Sequence, residues 1–505
     1  MMLLKPVDWL LDRITMYRLV LYYLIALLAV AAGLGALGVI GYNPLAIVLS
    51  SLYLIVVCMV SNAVFAYAFE TPANVESSII TALILALIIT PLSSTHNVLF
   101  LTAAGGLAIA SKYILAIHKK HIFNPAAVAV LLTSLGAGET ASWWIGNVYL
   151  LPFVVVGGLL VARKIRRMQI TLLFFAVATA VTVGLHLGGG ADALTAVRNL
   201  LLHSSLWFMG FVMLTEPLTT PPTTPGRRWY AALTGALFPP QMHLFGVYAT
   251  PELALSIGNV FSYAISPKRK LLPRLLRREQ LAPDIADIVT TREPAYAYQP
   301  GQYVELTFAH DHADSRGNRR YLTLASSPTE DTLRFGMKFP PGGSSFKRAL
   351  LAADDRARLA VSAPAGEFVL PKDPGRKLAF IAGGIGITPY RSMVRYLLDT
   401  AQPRDITLLY AAATPESFVY TDVFAAAARR FGMHTVYAAG RAPAGWQGHH
   451  GRITAELIAA AMPDYPERLF YLSGPLGMVT AVKQALRELG VPARHIKTDY
   501  FPGYA

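Results

Sequence analysis

The stretch LAFIAGGIGITP at residues 378–389 decides the fold of the C-terminal half of this chain. Its first five residues form an apolar run typical of a buried parallel strand, and a helix is expected from Tyr390 to about Leu398. Glycines between a strand and a helix let the backbone approach a pyrophosphate, whose charge suits the helix N-terminus. A second such unit, LFYLSGPLGM, occupies residues 469–478. The two loops are therefore expected at one edge of an α/β sheet, where dinucleotides bind.

The region before this unit, residues 280–373, reads as short strands separated by turns, which predicts a small antiparallel barrel. It contains RYLTLASSP at 320–328, in which the Arg320 guanidinium can bind a diphosphate bidentately and the small hydroxyl residues leave room for a flat ring. The segment PGGSSFK at 341–347 offers backbone N–H groups at a helix start, and Lys347 adds positive charge. These motifs together predict a site for a ring-bearing diphosphate.

The N-terminal half has long apolar runs, which raise the mean hydropathy of the whole chain to +0.44. Such runs reach the ~20 residues that cross a bilayer. Ten segments are expected, at roughly 17–40, 45–68, 78–94, 97–117, 123–137, 143–162, 169–187, 200–215, 229–247 and 252–266. With a cytoplasmic N-terminus, the basic clusters at 119–120, 163–167, 227–228 and 268–270 all fall inside. We expect a multi-pass cell-membrane protein with both termini and the C-terminal half in the cytoplasm.

An internal repeat is visible in the N-terminal half. TPLSST at 90–95 recurs as EPLTTP at 216–221, and NPAA at 124–127 has a counterpart in TPEL at 250–253. Each copy then holds five segments, and an odd number inverts the second copy relative to the first. Chance is the alternative, because prolines are common at span ends. If the repeat is real, Asn124, Thr219 and Thr220 lie at broken helices where backbone can meet a polar cofactor.

Several classes of function are excluded by composition. The net charge of +14 lies beside the apolar runs and does not indicate nucleic-acid binding. Cys58 is the only cysteine, so a disulfide within the chain and a cysteine-ligated iron–sulfur cluster are impossible. We expect no metal site.

The segments HIFNPAA at 121–127 and MLTEPLTT at 213–220 resemble the D subunit of the Rnf electron-transport complex and the B subunit of the sodium-pumping NADH:quinone oxidoreductase, over roughly residues 75–265. That resemblance implies a ten-span inverted repeat carrying flavin. This chain has Glu216 where the family usually has Asp, and it lacks the Ser/Thr-Gly-Ala-Thr motif that attaches FMN covalently. The expected second cofactor is therefore non-covalent FMN or a quinone.

Residues 280–505 resemble the ferredoxin–NADP⁺ reductase superfamily, through PGQY, RxxT, GGSS, GGIGITP and SGPxxM in that order. The usual aromatic residue of the second motif is replaced by Leu322, and the usual cysteine of the last by Ser473. The resemblance implies that Thr323, Ser473 and Phe501 lie at the reacting rings. It implies FAD or nicotinamide-dinucleotide contacts for Arg320, Tyr321, Leu322, Thr323, Ser326, Gly343, Ser344, Ser345, Lys347, Gly383, Gly384, Gly386, Thr388, Gly474, Pro475, Met478 and Tyr504.

The nicotinamide preference depends on the segment after the strand at 406–410. An NADP 2′-phosphate needs a nearby Arg, but the local sequence AAATPE carries only Glu416, so NADH is expected and NADPH is second. Arg441 from the next loop could reverse this preference.

The sequence thus predicts a polytopic α-helical membrane domain at 1–267, a basic linker at 268–279, an antiparallel β-barrel FAD domain at 280–373 and an α/β nucleotide-binding domain at 374–505. We expect a membrane-bound dehydrogenase in which NADH reduces FAD, and electrons then pass to a flavin, a quinone or an extracytoplasmic acceptor. The alternatives are a redox-regulated transporter or ion pump, and a ferric-reductase-type haem enzyme, which would need paired histidines along helices.

Overall fold

The computed structural model describes residues 7, 11, 14–69, 75–92, 95–117, 120–188, 192–244, 247–266, 271–310, 313–314, 316–354, 357 and 359–499. The chain divides into two compact units, residues 1–268 and 269–505. Phe501, Tyr504 and part of the expected linker lie outside the described residues.

In the residues that the structure describes, the N-terminal unit consists mainly of helices, with two short hairpins. Its helices are α1 Met16–Ala36, α2 Pro44–Ala68, α3 Val75–Ile88, α4 Thr95–Ile114, α5 Pro125–Ala137, α6 Leu151–Lys164, α7 Met168–Gly188, α8 Ala193–Leu202, α9 Leu206–Phe208 continuing into π-helical Met209–Met213, α10 Thr224–Ala236 and α11 Pro251–Ile265. Within the described part of the chain, four helical stretches are long and apolar enough to cross a membrane: Met16–Ala36, Pro44–Ala68, Asn97–Ile114 and Met168–Leu187. The other expected spans correspond to shorter or interrupted helices.

The expected span at 143–162 differs because its first part is not helical. The backbone N–H of Trp143 donates to the Ile88 carbonyl at 2.9 Å, and the Trp144 indole N–H donates to the carbonyls of Ala86 and Ile89 at 2.9 and 3.0 Å. This segment therefore satisfies the carbonyl groups that remain at the end of α3, as a helix end inside an apolar core requires. Helix α6 begins only at Leu151.

The internal repeat has a structural counterpart. In the first copy, α4 is followed by the hairpin β1 Ala116–Ile117 and β2 Lys120–His121, and then by α5. In the second copy, α10 is followed by the hairpin β3 His243–Leu244 and β4 Val247–Tyr248, and then by α11. Helices α5 and α11 both begin with proline and are capped by the residue before it, Asn124 or Thr250. The same order of elements at both Pro motifs supports a true repeat.

The C-terminal unit begins with a barrel of two three-stranded antiparallel sheets. One sheet has the order β5-β6-β9 and the other β10-β7-β8, built from β5 Leu275–Ala282, β6 Ile285–Thr291, β7 Tyr303–Thr307, β8 Arg319–Thr323, β9 Thr332–Lys338 and β10 Ala360–Val361. Helix α12, Ser345–Ala352, packs Phe346 and Leu350 into the barrel core. Strand β5 starts inside the segment expected as a linker, because Leu275 is needed to fill this core.

The rest of the unit is a six-stranded parallel sheet of order β14-β13-β12-β11-β15-β16. Its strands are β11 Leu378–Gly383, β12 Ile406–Ala412, β13 His434–Ala439, β14 His449–His450, β15 Leu469–Ser473 and β16 Ile496–Asp499, and its helices are α13 Thr388–Asp399, α14 Thr421–Phe431, α15 Ala455–Ala461 and α16 Leu476–Glu488. Strand β11 is wholly buried and pairs with β15 in parallel register. The two glycine loops therefore leave neighbouring strands at the same edge of the sheet.

Candidate cofactor sites

The two glycine loops at the sheet edge are packed directly against each other. A Cβ atom added to Gly383 would lie 2.4 Å from the Met478 sulfur, and one added to Gly386 would lie 2.5 Å from the Ser473 carbonyl oxygen. Gly384, by contrast, has a φ of +54° and open space at its Cβ position. Two glycines are thus needed for loop-to-loop contact, and the third leaves the backbone accessible to a ligand.

The barrel holds Arg320 in a buried position on β8. Its side chain is 7% exposed, its Nη1 donates to the carbonyls of Arg316 and Gly317 at 2.8 and 3.2 Å, and its guanidinium lies 4.8 Å from the Phe346 ring centre. This packing fixes the guanidinium beside the start of α12, where the PGGSSFK motif lies. The structure thus brings Arg320 beside the PGGSSFK motif, and its binding of a diphosphate stays a prediction.

Tyr321 and Leu322 differ in their surroundings on the same strand. Tyr321 is exposed and meets the Tyr303 ring edge-on at 5.9 Å, whereas Leu322 packs against the barrel core. An aromatic platform is thus available at Tyr321 and not at Leu322. Thr323 ends the strand opposite Tyr303 and is buried.

The start of α12 has an acidic partner, Asp314, which no sequence motif predicted. Ser344 caps the helix by accepting a hydrogen bond from the Lys347 N–H. The Ser345 N–H donates to Asp314 Oδ2 at 2.8 Å, and the Ser345 hydroxyl accepts from the Asp314 N–H at 2.9 Å. His310 Nε2 lies 2.9 Å from the same hydroxyl. Ser345, expected to meet a phosphate, thus forms two hydrogen bonds with Asp314, and its phosphate contact stays a prediction.

Positive charge dominates around this helix start. Burial, together with the charges of Arg320, Arg316 and Lys338, lowers the pKa of Lys347 to about 8. Burial alone would raise the pKa of Asp314, but hydrogen bonds from Arg316 and from the Ser345 N–H lower it to about 2. Among the described residues, these four cations are thus accompanied by two carboxylates, Asp314 paired with Arg316 and Asp284 paired with Lys338 at 3.0 Å. This excess fits a ligand with the double negative charge of a diphosphate, as FAD has.

Ser326, expected as a cofactor contact, has a structural role. It is fully buried, and its hydroxyl accepts from the Tyr298 hydroxyl at 3.0 Å and from the Arg334 N–H at 3.1 Å. Its carbonyl accepts from the Ser392 hydroxyl at 2.6 Å. These bonds join the barrel to α13.

Asp499 is a candidate that the sequence analysis missed. It lies opposite Ser473 in the parallel pairing of β15 and β16, at the edge where the glycine loops emerge. Ser473 itself is buried beside Gly386. A carboxylate one strand away from Ser473 could have been inferred from the Asp that precedes the aromatic C-terminus.

The segment after β12 carries the groups that would sense a 2′-phosphate. Glu416 is exposed, and hydrogen bonds from its own N–H and from Thr414 lower its pKa, which keeps it anionic. The Arg441 N–H donates to the Ala413 carbonyl at 2.8 Å, so the loop that could supply a guanidinium lies at this same place. The segment after β12 therefore carries an anionic residue, Glu416, and lies against the loop that carries the cationic Arg441.

The N-terminal unit contains a connected polar cluster between the two repeat copies. Asn124 Nδ2 donates to Glu216 Oε2 at 2.9 Å, the Thr219 hydroxyl donates to the same oxygen at 3.2 Å, and the Asn124 N–H donates to Asn259 Oδ1 at 2.7 Å. His121 Nε2 lies 3.9 Å from Glu216 Oε1. The motifs at 124 and 216 were expected to meet, and the structure brings them together.

The other residues of the expected interface lie elsewhere. Thr220 donates to the backbone carbonyls of Glu216 and Leu214 and so holds its own turn. The Leu92 N–H after Pro91 donates to the Ser50 hydroxyl on α2 at 2.7 Å. Buried Glu252, which is part of the fourth motif, accepts from the Trp143 indole at 2.9 Å.

Comparison with known proteins matches residues 380–484 to the oxidoreductase NAD-binding domain family. The chain is 31% identical to a flavohemoprotein of Deinococcus radiodurans over 211 residues, which are 41% of this chain and 52% of that protein. It is 28% identical to the glycine betaine monooxygenase reductase subunit of Pseudomonas aeruginosa over 199 residues, 39% of this chain and 54% of that protein. A cytochrome P450 reductase structure from Amycolatopsis aligns with a TM-score of 0.42 at 24% identity, covering 46% of this chain and 71% of that one.

Residues 380–484 therefore match an NAD-binding domain of oxidoreductases, and the C-terminal half is similar in sequence to reductase proteins. The assignment of the barrel as an FAD-binding domain of the ferredoxin-reductase type stays a prediction. The chain spans about half the length of the curated relatives it matches. The resemblance of the N-terminal half to the Rnf and sodium-pumping oxidoreductase subunits stays a prediction, as do the ten membrane spans.

Proposed function

We propose that this protein is a membrane-bound NADH dehydrogenase. NADH reduces FAD on the barrel, and the electrons pass into the N-terminal unit toward a flavin, a quinone or an acceptor across the membrane. The observation that carries the proposal is the packing of Gly383 and Gly386 against the second glycine loop. The barrel of the same unit also has a cluster of cations, which we call the cationic cradle: Arg316, Arg320, Lys338 and Lys347.

The residues of the cradle suit FAD. Arg320, Lys347 and the capped start of α12 would hold the diphosphate, and Thr323 would lie at the edge of the flavin ring. Bound FAD supplies a ring that accepts a hydride and can release electrons one or two at a time. NADH would lie along the open backbone at Gly384, with its nicotinamide near Ser473.

The cluster around Glu216 and Asn124 supports the membrane half of the proposal. An ionisable side chain within an apolar helical unit is costly unless it is paired or hydrated, and such residues often mark binding or transport sites. Here an amide and a hydroxyl converge on one carboxylate, next to the proline-started helix α5. Such a place can meet a polar head group, which favours non-covalent FMN or a quinone as the next electron carrier.

Haem is a weaker candidate on the described residues. His186 lies in the last turn of α7, His203 follows α8, and His121 and His243 lie in the two hairpins. A pair of haems stacked across a membrane needs two deep histidines on each of two helices.

The test uses the full-length protein purified in detergent. Acid extraction should release about one FAD per chain, and anaerobic mixing with NADH should bleach its absorbance. A membrane-embedded quinone should then reoxidise the flavin. Absence of FAD, or FAD that NADH does not reduce, would contradict the dehydrogenase. Reduction by NADH without any electron transfer to quinone or another membrane acceptor would favour a redox-regulated transporter.

A further inference from the structure

The barrel and the nucleotide-binding domain are joined by the first turn of α13. Arg391 is 7% exposed, and its Nη1 donates to the Ala325 carbonyl at 2.8 Å. Its two terminal nitrogens meet the two Glu330 oxygens at 2.6 and 2.9 Å, which is a bidentate pair. The next residue, Ser392, donates to the Ser326 carbonyl at 2.6 Å. We call the five residues that form these bonds the interdomain clamp: Ala325, Ser326, Glu330, Arg391 and Ser392.

The clamp acts on the strand end that carries Thr323. Ala325 and Ser326 follow Thr323 by two and three residues, and α13 bonds both of their carbonyls. Glu330 closes the same turn, because it accepts from the Ser327 N–H at 2.6 Å. On the other side, Arg391 lies three residues after Thr388 of the glycine loop. One short bridge therefore connects the two places where the reacting rings are expected.

Tyr420 and Asp287 form a second group of contacts that supports Arg391. The Tyr420 ring centre lies 5.5 Å from its guanidinium carbon, and the Tyr420 hydroxyl donates to Asp287, which is fully buried and also contacts Arg334. Tyr420 has a φ of 59°, a costly conformation for a bulky residue. The surrounding structure thus holds this tyrosine in place despite backbone strain.

We propose that Arg391 is a positioning residue for hydride transfer, which fixes the separation of the nicotinamide held by α13 from the flavin ring at Thr323. The inference rests on the proposed reduction of FAD by NADH. Hydride transfer requires a close and aligned approach of the two rings, so a small shift of one domain lowers the rate without removing either binding site.

The experiment compares Arg391→Met with Arg395→Met in the full-length protein. Arg395 is one turn further along the same helix and is half-exposed, and its ion pair among the described residues is with Asp399 of that helix. Each variant is measured for FAD content, for the NADH concentration that half-saturates flavin reduction, for the reduction rate in anaerobic stopped flow, and for the long-wavelength charge-transfer absorbance of the stacked rings.

We expect Arg391→Met to keep its FAD and its half-saturating NADH concentration, to lose the charge-transfer band, and to reduce flavin at least about tenfold more slowly. Arg391→Lys keeps the positive charge but not the bidentate guanidinium geometry. Its rate of flavin reduction should lie between those of Arg391→Met and the wild type. Arg395→Met should match the wild type in every measurement.

A wild-type rate and charge-transfer band in Arg391→Met would overturn the proposal and leave the clamp as a stability element. If that variant fails to fold, Ser392→Ala and Glu330→Gln must each slow flavin reduction, and wild-type rates in both would overturn it equally. Failure of the proposed function is distinct, because the wild-type protein itself would then lack FAD or would not be reduced by NADH.

Discussion

Arg320→Ala should weaken FAD binding by about ten- to a hundredfold. A hydrogen bond to a charged group contributes about 1.5–3 kcal/mol, and about 1.4 kcal/mol corresponds to a tenfold change in a dissociation constant. The guanidinium is buried at the start of α12 beside Lys347, so solvent screens its attraction for a diphosphate only in part. The larger end of the range applies if both terminal nitrogens contact phosphate oxygens.

The assay is titration of flavin-free protein with FAD, followed by flavin fluorescence. Arg319→Ala is the matched control, because Arg319 lies on the same strand, points to the opposite face and pairs with Glu305. Its dissociation constant should stay near that of the wild type, and Arg320→Lys should bind with intermediate affinity. An unchanged FAD affinity in Arg320→Ala, with normal thermal unfolding, would remove this residue from the site and refute the assignment of the cradle.

Three further outcomes follow from the same structure. FAD affinity should fall as pH rises through about 8, because Lys347 loses its proton there in the ligand-free protein, whereas a bound diphosphate keeps it charged. The FAD affinity of Lys347→Arg should not change over this pH range. An FAD affinity of the wild type that is independent of pH would contradict this prediction. NADH should have a higher kcat/KM than NADPH, because the anionic Glu416 after β12 would repel the 2′-phosphate of NADPH. Arg441→Ala should increase this preference for NADH. Equal kcat/KM values in the wild type would show that Arg441 reaches the 2′-phosphate. In a denaturing gel, the N-terminal half should show no flavin fluorescence, since the acceptor tetrapeptide is missing, and a fluorescent band there would disprove this.

The C-terminal fold was predictable because its signals are local. The strand at 378–382, the glycine loop after it and the second loop at 474 lie within short segments, and sheet topology alone brings them to one edge. Local pattern also identified the barrel, although its first strand was missed. The basic residues of β5 suggested a linker, whereas the Leu275 side chain that enters the core carried the correct signal.

Long-range partners could not be predicted in this way. Asp314 contacts Ser345 across 31 residues, and Glu330 contacts Arg391 across 61. Carboxylates and arginines on a surface loop or helix are common, and nothing local marks the pairs that will be buried together. In the N-terminal unit, apolar runs predicted helices but not where they stop, because Trp143 and Trp144 supply hydrogen bonds that let α3 end early.

In the proposed function, electrons from NADH enter the N-terminal unit through the cluster around Asn124. The most direct test is the full-length protein in liposomes that contain a quinone, with NADH-to-ferricyanide and NADH-to-quinone activities measured side by side. Asn62→Ala is the control, because Asn62 is another buried amide of the same unit and accepts from the Tyr113 hydroxyl at 2.8 Å outside the cluster. We expect Asn124→Ala to keep its ferricyanide activity while quinone reduction falls about tenfold or more, because the amide that orients Glu216 is gone. Wild-type rates of both activities in Asn124→Ala would contradict the account and would mean that electrons leave directly from the FAD domain.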